Sequence, residues 1–388
     1  MRALLLLGCA LIGGPGQAGP PFVPADDGVV LEHLPKGWRT SAHPEALAGD
    51  ATAALREARQ LIGRSRSEAD PRFLGLAQGV LQPWWNRSDA PADLLVLKAT
   101  IRQSQHDFTG AIADLRQAVT ADPKNAQGWI TLATIHLVQG RYDDARRALL
   151  VLVRLADELT VTTLVAQLGS LTGHAQAAAE QLGAALQRHP NAEPTVRLWA
   201  QTTRAEIAAR AGARDDAERY FRESLALSST DPYLLAAYAD YLLDHHREPE
   251  VLTQLASAPP TDGLLLRRAL ALKASGSADR RLLTSLIGQL DERFARSRAR
   301  GEAIHGREES RFLLQLKDDP AGALARARAN WEIQKEPADA LVFLEAAAAA
   351  GIPSAAQSVT DFIRTNHLED ASLRPGSAPV AASSVAHP

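Results

Sequence analysis

The sequence contains almost no cysteine and few aromatic residues. Among 388 residues there is one cysteine, Cys9, and only 5% of residues are aromatic. A single cysteine excludes intramolecular disulfides, and with them the small folds that depend on such bonds. The low aromatic share fits a helical array rich in alanine and leucine better than a β-sandwich or a β-barrel.

Strong net charge and catalytic motifs are also missing. The formal net charge is −3 and the pI is about 6.4, so bulk charge does not indicate binding to nucleic acid or to an anionic membrane. The sequence has no P-loop, no G-x-S-x-G elbow and no H-E-x-x-H motif. The letters G-x-G-x-x-G occur at residues 14–19, but no βαβ unit surrounds them, and we interpret the match as chance. We therefore expect no cofactor, no metal and no catalysis.

The N-terminus has the pattern of a secretory signal. Arg2 supplies a positive charge, an apolar run follows over Ala3 to Ile12, and small residues precede a cleavage point after Ala18. This run is too short to span a bilayer, and no later apolar stretch is long enough. The letters LLGC, ending at Cys9, resemble a bacterial lipoprotein box, but the apolar segment before Cys9 is very short. We therefore favour cleavage near Ala18, and a periplasmic or secreted location, over lipid modification of Cys9.

The clearest internal pattern lies between Ala126 and Asp157. It reads as a helix, a tight turn at Gly140-Arg141 and a second helix. Apolar side chains, several of them small, stand where the two helices must touch: Trp129, Leu132, Ala133, Tyr142, Ala145 and Leu149. The same kinds of side chain stand 34 residues earlier, at Phe108, Ala111 and Leu115. Because neither helix can bury its apolar stripe alone, each unit depends on its neighbours.

A 34-residue period of helix–turn–helix units resembles the tetratricopeptide repeat family. The resemblance is clearest over residues 92–255, where Pro123 and Pro190 match the proline that ends the second helix of a repeat. It implies an all-α fold, a right-handed α-solenoid of antiparallel helix pairs. It also implies a non-catalytic scaffold that binds another protein or a peptide in the concave groove of the array.

Apolar periodicity and helix breakers divide the chain into about nine helix pairs between two aperiodic ends. We predict a signal peptide at 1–18, an extended segment at 19–44, the repeat array at 45–257, degenerate repeat-like pairs at 258–370, and a disordered tail at 371–388.

In tetratricopeptide arrays the groove is lined mainly by the first helix of each pair, at its second, fifth, ninth and twelfth places. The resemblance therefore implies a groove lined by Val96, Thr100, Gln103, Gln127, Ile130, Thr134, Leu137, Thr163, Gln167, Trp199 and Thr202. The lysine and asparagine with which chaperone-binding relatives clamp a C-terminal carboxylate are absent, since Val96 and Thr100 occupy those places. We expect a nearly uncharged groove and a protein partner in the cell envelope.

The densest group of functional side chains runs from His305 to Arg311. On a helix, His305, Glu308 and Glu309 would share one face, and a metal site there is the alternative to a solvated, ion-paired face. The sequence favours the ion-paired face, because Glu308 can pair with Arg307 or Arg311 and histidine with carboxylates at this spacing usually forms a solvated face. The alternative function is an envelope enzyme, or an enzyme accessory, with a weak site in this segment. A structural role through self-stacking of arrays is a third hypothesis.

Overall fold

The computed structural model describes residues 50–68, 70–276, 279–299 and 306–373. Within these ranges the chain forms eighteen α-helices and no β-strand. Successive helices pack as nine antiparallel pairs, and each pair stacks on the next, so the predicted all-α solenoid is confirmed. The predicted signal peptide and extended segment lie outside the described residues, as does most of the predicted tail.

We call the two helices of a pair helix A and helix B. The pairs are α1 (Ala51–Ser67) with α2 (Arg72–Leu81), α3 (Ala92–Ser104) with α4 (Phe108–Ala121), α5 (Ala126–Val138) with α6 (Tyr142–Leu152), α7 (Glu158–Ser170) with α8 (Ala175–Arg188), α9 (Pro194–Ala211) with α10 (Arg214–Leu227), α11 (Pro232–Asp244) with α12 (Glu248–Gln254), α13 (Asp262–Ala274) with α14 (Arg280–Ala299), α15 (Gly306–Gln315) with α16 (Pro320–Trp331), and α17 (Pro337–Ala349) with α18 (Gln357–Asn366). Short 3-10 helices lie at Gln82–Trp84, Pro353–Ala356 and Ala371–Leu373.

Local sequence signals set the helix ends. The side chains of Asp107, Asn125, Asp157 and Asp231 accept hydrogen bonds from backbone N–H groups in the first turns of α4, α5, α7 and α11. Such caps satisfy amide groups that have no partner within the helix. None of the helices in the described ranges combines the length and apolar character that a membrane span requires.

Small residues at the helix crossings allow the two helices of a pair to approach closely. Ala133 and Ala145 are fully buried where α5 meets α6, and Ala99 and Ala111 are fully buried where α3 meets α4. The aromatic ring of Tyr142 fills the space at the start of α6, with only 5% of its surface exposed. These positions are the ones at which the sequence pattern predicted packing.

The array closes on itself. The last helix pairs return to the A–B turns of pairs 3, 4 and 5, where Lys335 donates its backbone N–H to the carbonyl oxygen of Val138 at 2.7 Å. The 3-10 helix Ala371–Leu373 packs against α9, so the first three residues of the predicted tail are part of this contact. We call the contact between Trp331–Leu373 and these three turns the seam.

Candidate functional site

The structure distributes the predicted groove residues over three levels of exposure. They lie on α3, α5, α7 and α9, the A helices of pairs 2 to 5. Gln127 is exposed, whereas five others are half-buried: Gln103, Ile130, Thr134, Gln167 and Trp199. The remaining five are buried: Val96, Thr100, Leu137, Thr163 and Thr202.

The buried members of this set have structural partners within the array. Val96 and Leu137 belong to the main hydrophobic core. Two threonine hydroxyls donate to carbonyl oxygens of their own helices, Thr100 to Val96 at 2.9 Å and Thr163 to Leu159 at 2.7 Å. Such back-bonding satisfies the hydroxyl donor within the helix. The accessible part of the predicted groove is therefore smaller than the full set.

The accessible members present apolar surface and neutral polar groups. Ile130 and Trp199 are half-buried and pack against the main core. The Thr134 hydroxyl donates to the carbonyl oxygen of Ile130 at 3.0 Å, and the Gln167 amide donates to the Thr203 hydroxyl at 3.3 Å, which links α7 to α9. This surface is uncharged.

Beyond pair 4 the inner face becomes charged, a feature that the predicted groove set does not contain. Thr134, Gln167, Glu206 and Asp240 occupy equivalent places on successive A helices, at spacings of 33, 39 and 34 residues. Two of the four, Glu206 and Asp240, are acidic. The repeat register itself places Glu206 on the inner face, and one further period leads to Asp240.

Asp240 is held by two arginines from later pairs. Arg267 on α13 forms an ion pair with its Oδ2 atom, and Arg311 on α15 donates to its Oδ1 atom at 2.7 Å. Burial alone would raise the pKa of Asp240, but the two guanidinium groups outweigh burial and lower it to about 2. This carboxylate therefore ties pair 6 to pairs 7 and 8.

A second charged group lies on α9 and α11. The Tyr233 hydroxyl donates to Glu206 Oε1 at 2.8 Å, and Arg210 donates to the Ser170 hydroxyl at 2.9 Å. Desolvation raises the pKa of Glu206 although Arg210 and Tyr233 oppose the shift. Tyr233 remains 59% exposed, so solvent reaches this group.

The segment from His305 to Arg311 is built mainly of ion pairs. His305 lies outside the described residues. Arg307 contacts Glu336 at 3.0 Å and Glu308 at 3.4 Å. Glu309 is buried between two arginines of neighbouring helices, Arg298 and Arg326. Across the ranges that the structure describes, no group of three or more histidine, cysteine, aspartate or glutamate side chains could hold a metal ion.

A cavity of about 340 Å³ lies where the two ends of the array meet. Gln103, His106, Phe108 and Val138 line it from pairs 2 and 3, and Gly263, Arg307, Glu308, Gln334 and Glu336 line it from the later pairs. The described lining is mainly polar and includes both charge signs, from Arg307 and from Glu308 and Glu336. The predicted groove residue Gln103 thus faces the C-terminal part of the same chain.

Comparison with known proteins finds a family for one stretch of the chain. Residues 103–168, from the end of α3 to α7, match the family model described as tetratricopeptide repeat. This stretch is therefore similar to tetratricopeptide repeats, and the described helices on either side of it continue the same stacked pairs. No curated protein matches the chain.

Two solved structures illustrate how far the likeness extends. A tetratricopeptide repeat protein from Parabacteroides merdae ATCC 43184 is 16% identical, with 61% of this chain and 93% of that chain covered and a TM-score of 0.41. The TPR domain of P58(IPK) is 12% identical, with 82% of this chain and 93% of that chain covered and a TM-score of 0.25.

Proposed function

We propose that the protein is a non-catalytic scaffold that binds another protein or a peptide on the inner face of pairs 2 to 5. The tetratricopeptide fold suggests such a role, since stacked helix pairs create an extended concave surface. The observation that carries the proposal is the accessible, uncharged row of Ile130, Thr134, Gln167 and Trp199 on three successive A helices.

The chemistry of this row defines the partner that it fits. Trp199 and Ile130 offer apolar surface for an aliphatic or aromatic anchor, and large aromatic residues often supply much of the binding energy at interfaces. Gln127 and Gln167 offer amide groups that can pair with a peptide backbone. Because the row carries no charge, affinity is expected to change little with ionic strength.

The charged half of the interior supports the same assignment by its own internal pairing. Asp240 is neutralised by Arg267 and Arg311, so its charge is used to join helix pairs. A half-buried carboxylate whose two oxygens each contact an arginine has little capacity left for an external charged ligand. Recognition is therefore assigned to pairs 2 to 5.

Export is the second part of the proposal. The positive residue, apolar run and small residues over 1–18 support secretion, with cleavage near Ala18. The partner is accordingly proposed to be a protein or peptide of the cell envelope.

The double variant Ile130→Asp with Thr134→Lys tests the inner face. Charged groups placed on this apolar row are expected to lower partner capture from an envelope fraction about tenfold or more, equivalent to about 1.4 kcal/mol. The matched control is Leu150→Asp on α6, where the parent side chain is 69% exposed and lies outside the row. Undiminished capture by the double variant, with the fold retained, would place the working surface elsewhere.

A further inference from the structure

The C-terminal segment crosses three successive A–B turns in order. A Cβ atom built on Gly140 in pair 3 would meet Phe362, one built on Gly173 in pair 4 would meet His367, and one built on Gly212 in pair 5 would meet Ala371. All three glycines have positive φ angles, of 68°, 83° and 80°. The turns therefore expose bare backbone along one edge, and one residue in every four or five of the segment lies against it.

Phe362 is the principal apolar contact of the seam. Its ring lies 5.9 Å from the ring of Tyr142 on α6 and 5.3 Å from that of Trp331, to which it is perpendicular. Phe362 packs against both the main core and the core of the last two pairs. It therefore joins the two ends of the array.

The seam also satisfies a helix end that its own sequence leaves uncapped. The N-cap residues of α6, α8 and α10 make no side-chain hydrogen bond to their helices. At α8 the cap comes from the C-terminal segment, since Ala175 donates its N–H to Glu369 Oε2 at 2.9 Å. A carboxylate is favourable at this position because the N-terminal end of a helix is partially positive.

Acidic groups near the end of α11 oppose closure. Asp244 at the end of α11 faces three more carboxylates, from α11, α17 and the seam, and one guanidinium, Arg311, from α15. These carboxylates belong to Asp240, Glu345 and Asp370. Desolvation and Asp240 together raise the pKa of Asp244 to about 7. Mutual repulsion among these carboxylates weakens a contact that brings them together.

The seam is also shallow compared with the packing within a helix pair. Phe362 is only half-buried, and His367 and Glu369 are exposed. In contrast, Ala133, Leu132 and Ala145 within pair 3 are buried to 96% or more, with exposures of 0%, 4% and 0%. Elements with few buried apolar contacts open more readily than the core to which they are attached.

We propose that the segment Trp331–Leu373 is a reversible latch that closes the array over one end of the groove and must open to admit a partner along the inner face. Gln334 and Glu336 of the latch line the cavity that Gln103 lines from the opposite side. That the latch excludes a groove partner rests on the proposed function. Its closing and opening are properties of this chain alone. The tests below need no partner, so a failed latch would leave the groove proposal standing, and a failed groove would leave the latch standing.

A pair of introduced cysteines tests closure. In a Cys9→Ser background, Gly212→Cys with Ala371→Cys brings two Cβ atoms to about 3.5 Å, close to disulfide geometry. We expect an intramolecular disulfide under mild oxidation. The control is Gly276→Cys with Ala371→Cys, because Gly276 has a similar φ of 60° but no described atom within 4 Å of a built Cβ. Equal oxidation of the two pairs would overturn the closed seam.

Alkylation of a cavity residue tests opening. Gln103→Cys in the same Cys9→Ser background is treated with a small maleimide and with one bearing a bulky polyethylene glycol chain. Closure is expected to slow the bulky reagent selectively, and Phe362→Ala is expected to restore its rate by about tenfold. Leu150→Cys, on the outer face, serves as the control for reagent size.

The expected result is therefore a size-dependent rate at residue 103 that disappears when the seam is weakened. If Phe362→Ala fails to fold, Glu369→Ala replaces it, since this exposed side chain can be removed while the cores remain intact. A bulky-to-small rate ratio at residue 103 that equals the ratio at residue 150 would overturn the latch. So would a ratio that neither seam variant changes.

Discussion

Replacing Gly140 with alanine places a methyl group against the ring of Phe362. A Cβ atom at this position would lie 2.6 Å from Phe362 Cζ and 2.7 Å from Cε2. Carbon atoms pack best at about 3.5–4.0 Å, so the ring would have to move by about 1 Å. Because Tyr142 and Trp331 flank that ring, we expect the seam itself to be displaced.

The magnitude of this effect has two parts. The φ angle of 68° strains any L-residue by about 1–2 kcal/mol, and overpacking adds about 1–3 kcal/mol. Gly351 provides the matched control, because it has a φ of 71° but no described atom within 4 Å of a built Cβ. Gly140→Ala is therefore expected to lower the free energy of unfolding by about 1–3 kcal/mol more than Gly351→Ala does.

Chemical denaturation of both variants measures this difference, and a double-mutant cycle assigns its cause. When Phe362→Ala removes the ring first, Gly140→Ala should cost only the backbone strain, and the excess should vanish. If Gly140→Ala and Gly351→Ala lower the free energy of unfolding equally, the Phe362 ring does not press on residue 140. An excess that persists without the ring would move the clash to Lys335, whose Cβ atom lies 3.3 Å from the built position.

Three further predictions concern pH, a buried polar network and export. Burial, helped by Arg141, lowers the pKa of His136 from 6.5 to about 4. The free energy of unfolding therefore falls as the pH drops between these values, by at most about 3–4 kcal/mol, and denaturation against pH should show a shallower loss for His136→Gln. Asp339→Asn should lower the free energy of unfolding by about 1–3 kcal/mol in the same assay. Both carboxylate oxygens of Asp339 accept hydrogen bonds, among them one from the Asn330 amide at 2.9 Å, and an asparagine would set its own N–H₂ donor against one of these donors. Intact-mass measurement of the exported protein should give a chain that begins after Ala18, whereas a lipid-modified N-terminal cysteine would contradict this cleavage.

The helix pairs could be predicted because their signals are local. Gly140, Gly173 and Gly212 end A–B turns with positive φ angles, and caps such as Asn125 begin the next helices. The predicted tight turn at Gly140-Arg141 lies between α5 and α6 in the structure. Local turn and capping chemistry depends on a few neighbouring residues, so one sequence suffices to find it.

The exposure of individual groove residues was harder to predict. A repeat position predicts which residue of a helix faces inward, but the packing of neighbouring helices determines how much of that side chain is exposed to solvent. Val96, for example, stands 3.5 Å from a Cβ built on Gly128 of the next A helix, and is 3% exposed. The assignment of the whole set as a binding surface stays a prediction.

The seam has no periodic signature in the sequence. Its capping bond joins Ala175 to Glu369, residues that are 194 positions apart. Such a contact depends on the accumulated curvature of several helix pairs, including the 39-residue spacing between Ala178 and Ala217. Small rotations per repeat add up along a solenoid, so local patterns do not reveal which distant units meet.

Site-specific photo-crosslinking tests whether the inner face is the surface that binds the partner. A photoreactive phenylalanine analogue is placed at residue 130 on the inner face in one protein, and at residue 150 on the outer face in another. After exposure to the envelope fraction and irradiation, we expect a discrete crosslinked partner from position 130 and none from position 150. A partner crosslinked from position 150 but not from position 130 would contradict the assignment of the inner face as the binding surface.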